Sequence, residues 1–127
     1  MKLTLPPLSE SQLKIMNAVW DLGECSVADV LRQLQGRRPI TRNTVHTVMS
    51  RLEEKGWLRR RSEGARFFYW ATVSRQRAQR RYVDRVVDAV FDGSAEGLVV
   101  ALLQGRTLSR AEAARIRRII HEAEEKP

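Results

Sequence analysis

Apolar residues recur with a helical period in two successive segments near the start of the chain. The first predicted helix begins with a capping-box pattern, Ser9 followed by Gln12, and ends at Gly23. Its apolar stripe contains Leu13, Ile15, Met16, Val19 and Trp20. The second predicted helix begins after Ser26 as its N-cap and ends at Gly36. Its apolar stripe contains Val27, Val30, Leu31 and Leu34, so both segments are predicted to be amphipathic helices.

A third amphipathic helix is predicted between Thr41, a favourable N-cap, and Gly56. Its apolar positions are Val45, Val48, Met49 and Leu52. Two strand-like runs rich in aromatic residues follow, "GWLRRR" and "ARFFYWA", and the turn-forming residues between them predict a hairpin with a basic tip. Three helices followed by a basic hairpin are the arrangement of a winged helix-turn-helix, which we predict for residues 1–72.

Residues 73–127 are predicted to form three further helices, the last of them behind a second capping box, Ser109 with Glu112. These helices are too short to bury three apolar faces in a core of their own, so we expect a homodimer in which a second copy covers them. The residues predicted to form this interface are Val83, Val86, Val87, Val90, Leu98, Leu102, Ile116, Ile119 and Ile120. The predicted fold is mostly α, with an N-terminal winged helix-turn-helix (three helices plus a β-hairpin wing) and a C-terminal helical dimerisation region.

The charge of the chain is strongly basic, with 23 Lys and Arg against 15 Asp and Glu and a net charge of +8. Residues 37–66 hold nine of the basic residues and only three acidic ones. A polyanion, either nucleic acid or an acidic membrane surface, is the natural partner of such a protein. The third helix and the hairpin therefore carry the electrostatic footprint.

The outward face of the third helix has the chemistry of a recognition helix. It presents Arg42, Asn43, Thr44, His46, Thr47, Ser50 and Arg51. Amide, hydroxyl and guanidinium groups read base edges in the major groove of double-stranded DNA. The alternative is an ordinary solvated face, but such faces favour Glu and Lys, which are better helix formers than Asn, Thr, His and Ser. The composition therefore favours a DNA-contacting face.

The hairpin supplies four more arginines, Arg59, Arg60, Arg61 and Arg66, which are expected along the phosphate backbone or in the minor groove. Side chains alternate along a strand, so these arginines cannot all face DNA and some serve only solubility. The aromatic run Phe67 to Trp70 has two interpretations, a stacking platform for single strands or packing of the wing against the helices. Period-two alternation favours packing.

Several other classes of protein are disfavoured. The single cysteine, Cys25, excludes an internal disulfide and a multi-cysteine metal cage, and fits a reducing compartment. The N-terminus lacks a signal-peptide pattern and the longest apolar run is far too short for a membrane span, so a cytoplasmic protein without membrane insertion is expected. His46 and His121 are the only histidines, and the sequence contains no zinc-protease helix, phosphate loop or nucleophile elbow. An enzyme, a cofactor and a metal site are therefore not expected.

Two longer stretches resemble the penicillinase-repressor family of BlaI/MecI type. They are "LSESQLKIMNAVWDLGECSVADVLRQL" and "TRNTVHTVMSRLEEKGWLRR", and together with the C-terminal helices they extend the resemblance over nearly the whole chain. The most diagnostic pieces are the opening "LSESQLKIMNAVW" and the recognition segment with Thr44, Thr47, Arg51, Leu52 and "EKG". The resemblance implies a homodimeric repressor whose winged helix binds an inverted-repeat DNA operator and whose C-terminal helices interlock with those of the partner.

The resemblance also implies a mode of release. In the best-known members a membrane-bound sensor metalloprotease detects a β-lactam, and the repressor is cut at an Asn-Phe bond in a "LVLNF" context. Here the matching run is Leu98 to Leu102, so Ala101 and Leu102 occupy the candidate proteolytic site and neither residue of the cut pair is kept. Cleavage at this place would require a protease of different preference.

Two further features separate this chain from known branches of the family. A copper-responsive branch uses a C-terminal cluster of cysteines, which this chain lacks. His46 stands where the β-lactam branch commonly has a basic or long polar residue, so the operator sequence of that branch does not carry over to this chain. The remaining alternative is a winged-helix protein-interaction adaptor without specific DNA binding, which would show no steep salt dependence.

Overall fold

The computed structural model describes residues 5–36 and 39–124, and these residues form six helices and one hairpin. The elements are α1 (Glu10–Leu22), α2 (Val27–Leu34), α3 (Arg42–Glu54), β1 (Leu58–Glu63), β2 (Arg66–Ala71), α4 (Arg75–Val90), α5 (Ala95–Leu103) and α6 (Arg110–Glu124). The predicted fold class is confirmed, as a mostly α chain with three helices before a β-hairpin and three after it. Arg37 and Arg38, which belong to the basic window, lie outside the described residues.

The first three helices begin where their capping residues predict. Ser9 and Gln12 form a reciprocal capping box at α1, and Ser26 forms one with Asp29 at α2. The Thr41 hydroxyl accepts a hydrogen bond from the Thr44 amide, with 3.1 Å between oxygen and nitrogen. These caps satisfy backbone donors that the first turns leave free. They therefore fix the start of each helix that positions the site.

The core of the N-terminal part lies between α1, α2, α3 and the root of the hairpin. Val45, Met49 and Leu52 of α3 are completely buried, and Met16 and Val19 of α1 pack in the same cluster. Trp57, just before β1, and Tyr69 in β2 complete this cluster, and both are fully buried. Because the inner face of α3 is fixed in this way, its polar face is held outward.

The hairpin pairs in a regular antiparallel register, with Leu58 opposite Ala71 and Glu63 opposite Arg66. Cys25, in the loop between α1 and α2, adds an isolated bridge to the free side of β2. It exchanges two backbone hydrogen bonds with Tyr69, of 2.9 and 2.7 Å between nitrogen and oxygen. The wing is therefore joined to the helical body by backbone pairing.

The chain divides into two compact units, residues 1–83 and 84–127, so the boundary lies inside α4. In the first unit, the α4 residue Ala78 is buried and the Tyr82 hydroxyl accepts a hydrogen bond from the Leu8 amide at 2.7 Å. In the second unit, no described residue of α5 or α6 is buried. Within the described residues, no helix is both long and apolar enough to cross a membrane.

Candidate nucleic-acid interface

The polar face of α3 is open to solvent, as its sequence predicts. Six of the seven predicted base-contacting residues are exposed, and Ser50 is half-buried. The exposed ones are Arg42, Asn43, Thr44, His46, Thr47 and Arg51. Apart from the Thr44 hydroxyl, their side-chain donors and acceptors are available to an incoming ligand, because the apolar positions between them are turned into the core.

Thr44 has a more restricted role than its neighbours on α3. Its hydroxyl lies 2.9 Å from the Thr41 hydroxyl, and its backbone amide donates to the same oxygen. The hydroxyl is thus engaged in the N-cap, whereas the methyl group remains free for apolar contact. A thymine methyl is the base feature that such a group contacts.

A groove of about 520 Å³ separates the recognition helix from the wing. It brings together four of the predicted DNA contacts, Arg42, Asn43, His46 and Arg66. The rest of the lining comes from the start of α2 and from the hairpin, namely Ser26, Val27, Ala28, Ala65, Phe67 and Tyr69. The other five predicted contacts do not line this groove, namely Thr44, Thr47, Ser50, Arg51 and Arg60.

The contribution of α2 to this groove was not predicted from the sequence. The start of a helix presents free backbone N–H groups and a partial positive charge, which favour an anion. Asp29 partly balances that charge, and its pKa lies below the ordinary value, mainly because the Ser26 amide donates to its carboxylate and further because Arg32 and Arg66 are nearby. The Ser-x-x-Asp capping pattern was the available signal for this helix start.

The four aromatic residues of the hairpin differ in their burial. Tyr69 is fully buried, Phe68 and Trp70 are half-buried, and Phe67 is 43% exposed beside the groove. The packing interpretation accounts for Tyr69. Phe67 lies close to the turn and carries the guanidinium of Arg60 at 4.4 Å from its ring centroid, a cation–π contact.

Arg60 and Arg61 also have carboxylate partners. The Nε of Arg60 lies 3.2 Å from a carboxylate oxygen of Glu53 in α3. Arg61 donates from Nε to Glu24 and from Nη1 to Glu63, the latter at 3.0 Å. No ion pair involves Arg59 or Arg66 within the residues that the structure describes. The four hairpin arginines are therefore not equivalent.

The apolar residues predicted for dimerisation are largely open to solvent. Val83, Val86, Val90, Leu102, Ile119 and Ile120 are exposed, and Val87, Leu98 and Ile116 are half-buried. Ala101 and Leu102, the candidate proteolytic site, are both exposed in the last turn of α5. Large apolar side chains in such number are unusual on the surface of a monomeric soluble protein.

Cys25 is a buried core residue and not a reactive thiol. Its side chain is 1% exposed, and burial together with the nearby Asp29 and Glu24 carboxylates raises the pKa of its thiol to about 11. A thiol with so little thiolate is a poor nucleophile and a poor metal ligand. Across residues 5–36 and 39–124, no three His, Cys, Asp or Glu side chains are grouped so as to hold a metal ion.

A helix that is apolar inside and polar outside, packed on two capped helices and followed by a basic hairpin, defines a winged helix-turn-helix regulator. A family model described as penicillinase repressor matches residues 8–122. The chain therefore belongs to the penicillinase repressor family. The prediction of a DNA-binding regulator of BlaI/MecI type, and not an enzyme, is confirmed by this membership.

The similarity to individual relatives extends over nearly the whole length of each relative. The methicillin resistance regulatory protein MecI of Mammaliicoccus sciuri is 23% identical over 114 residues, which are 90% of this chain and 93% of that protein. The penicillinase repressor of Bacillus licheniformis is 22% identical over 118 residues, 93% of this chain and 92% of that protein. Among solved structures, the DNA binding domain of the repressor BlaI is 26% identical with a TM-score of 0.52, covering 61% of this chain and 93% of that domain.

Proposed function

We propose that this protein is a homodimeric transcriptional repressor that binds an inverted-repeat operator in double-stranded DNA. The observation that carries the proposal is the polar face of α3, held outward by a buried apolar stripe next to a basic wing. Arg42, Asn43 and His46 would contact base edges from the first turns of this helix. Thr44, Thr47, Ser50 and Arg51 would extend the contact along the major groove.

The wing would contribute the sequence-independent part of the affinity. Arg66 lies at the groove, and Arg60 contacts Glu53 through its Nε while its side chain stays 39% exposed, so both arginines can approach phosphate oxygens. Contacts of this kind fix the register of a protein on DNA without reading sequence. They also make the affinity depend steeply on salt.

Dimerisation would follow from the exposed apolar residues of the C-terminal helices. A second copy is the occupant that covers them most simply, because a two-fold interface pairs each patch with its own equivalent. Two recognition helices in such a dimer would read two half-sites about one helical turn of DNA apart, roughly 34 Å. This arrangement explains why the operator should be an inverted repeat.

Release from DNA by proteolysis is a further part of the proposal. The exposed pair Ala101 and Leu102 would be the cleavage site, and a membrane-bound sensor metalloprotease that accepts small and aliphatic residues would be the partner. The relatives are named for penicillinase and methicillin resistance, so genes of β-lactam resistance are the first regulated genes to examine.

In vitro selection tests the DNA-binding proposal. Purified protein is incubated with random duplex DNA, the retained DNA is sequenced, and binding of the selected site is measured at several salt concentrations. We expect an inverted repeat and a loss of affinity of about 10³-fold or more between 50 and 200 mM salt, as for proteins that neutralise six or more phosphates. Retention without a motif, or a flat salt dependence, would instead favour the protein-interaction adaptor.

A further inference from the structure

Two neighbouring arginines of the wing lie on opposite faces of strand β1. Successive side chains of a strand alternate between its faces, so Arg61 shares a face with Glu63 while Arg60 lies on the other. The register agrees, since Arg61 is paired with Phe68 and Arg60 with Tyr69. The two arginines therefore meet different surroundings although they are adjacent in sequence.

The guanidinium of Arg61 is engaged on two edges and one face. Its Nε donates to Glu24, its Nη1 donates to Glu63 at 3.0 Å, and its carbon lies 5.0 Å from the ring centroid of Phe68. The carboxylates of Glu24, first, and Glu63 raise the pKa of Arg61 above its ordinary value. Each bidentate edge of this guanidinium includes Nε or Nη1, so a phosphate could bind it in bidentate geometry only by displacing a carboxylate.

The position of Glu24 is set by the backbone next to it. Cys25 exchanges two hydrogen bonds with Tyr69, so the loop between α1 and α2 runs beside β2. Strand β2 lies between β1 and this loop. The Arg61–Glu24 ion pair therefore links the loop to β1 across β2. A side-chain link is thereby added to the backbone link between the wing and the helical body.

We propose that Arg61 is a positioning residue that fixes the angle of the wing through Glu24 and makes no phosphate contact of its own. This inference rests on the proposed DNA-binding function. The wing so held keeps Arg66 and Phe67 across the groove from the first turn of α3. Exposed ion pairs contribute little to folding stability, so the effect is expected in operator affinity and wing mobility.

The direction in which one substitution changes operator affinity distinguishes a positioning role from a phosphate contact. Glu24→Gln removes the carboxylate charge that holds the Nε of Arg61 and leaves the Glu63 contact in place. If Arg61 contacted phosphate, operator binding would become tighter; positioning predicts binding several-fold weaker. Glu10→Gln, which removes another exposed carboxylate with no ion pair among the described residues, is the matched control for charge.

The salt dependence supplies a second comparison, between Arg61→Ala and Arg60→Ala. Loss of a phosphate contact lowers the slope of log K against log salt by about 0.9 for each phosphate. We expect this decrease for Arg60→Ala and an unchanged slope for Arg61→Ala, with weaker binding in both. A slope that falls equally in the two variants would overturn the positioning role.

Amide hydrogen exchange of the free protein tests the inference without DNA. In Glu24→Gln and Arg61→Ala, the amides of β1 and β2 should exchange faster than in the parent protein, and Glu10→Gln should leave them unchanged. Unchanged hairpin exchange in the first two variants would overturn the inference even if DNA binding is established. Absence of DNA binding by the parent protein would overturn the proposed function, and this exchange experiment would still report on the wing.

Discussion

Replacing Ile119 with Asp tests the dimer interface proposed for the C-terminal helices. Ile119 is 64% exposed on α6, so about two-thirds of its side chain is available for burial against a second copy. Full burial of an isoleucine contributes about 1.5–3 kcal/mol, which scales here to roughly 1–2 kcal/mol per copy. A two-fold interface counts the residue twice, giving roughly 2–4 kcal/mol. Placing an unpaired carboxylate there adds a further cost.

Such a loss corresponds to a dimer dissociation constant about 30- to 1,000-fold higher. Sedimentation equilibrium over a range of protein concentrations measures it directly. Ala114→Asp is the matched control, because Ala114 is exposed on the same helix, opposite the stripe formed by Ile116, Ile119 and Ile120. Equal dissociation constants for the two variants would refute the assignment of this stripe to the interface.

Three smaller perturbations test the site and its support. Asn43→Ala should cost about 1–3 kcal/mol at one base pair and relax sequence preference there, measured by repeating the selection; an equal loss on all sequences would remove Asn43 from base reading. Thr41→Ala should lower the free energy of unfolding by about 1 kcal/mol, measured by urea denaturation, because the cap of α3 is lost. With the pKa of Cys25 raised from 9.0 to about 11, the native thiol holds about 100-fold less thiolate near pH 8 than the unfolded one; because a thiolate of higher pKa is more nucleophilic, Ellman's reagent should label it at least about 10-fold more slowly. For the same reason, the free energy of unfolding should fall as pH rises from 9 towards 11, and Cys25→Ala should remove that decrease.

The helices were predictable because their signals are local. Caps such as Ser9 and Thr41 and the 3.6-residue apolar period act over one or two turns, and the structure starts α1 and α3 where those signals lie. The polar face of α3 followed from the same period. This polar face is exposed whenever the apolar stripe of the same helix is buried in a core.

The groove and the arginine network were not predictable from local signals. Arg61 and Glu24 are 37 residues apart, and only the backbone pairing of Cys25 with Tyr69 brings their side chains together. Likewise, alternation predicts burial for Phe67 and Tyr69 alike, yet Phe67 lies near the turn, where the body no longer covers the hairpin. Long-range backbone pairing determines the Arg61–Glu24 contact, and the extent of the core along the hairpin determines the exposure of Phe67.

A two-stranded hairpin carries a hazard of its own, since an unpaired strand edge can recruit another chain by backbone hydrogen bonding. Cys25 pairs with part of the β2 edge, while the outer edge of β1 has no backbone partner in the part of the chain that the structure describes. That open strand is the one with three successive arginines, Arg59 to Arg61. Two copies approaching edge to edge would bring like charges together, so the residues that make the wing basic also protect it against sheet extension and aggregation.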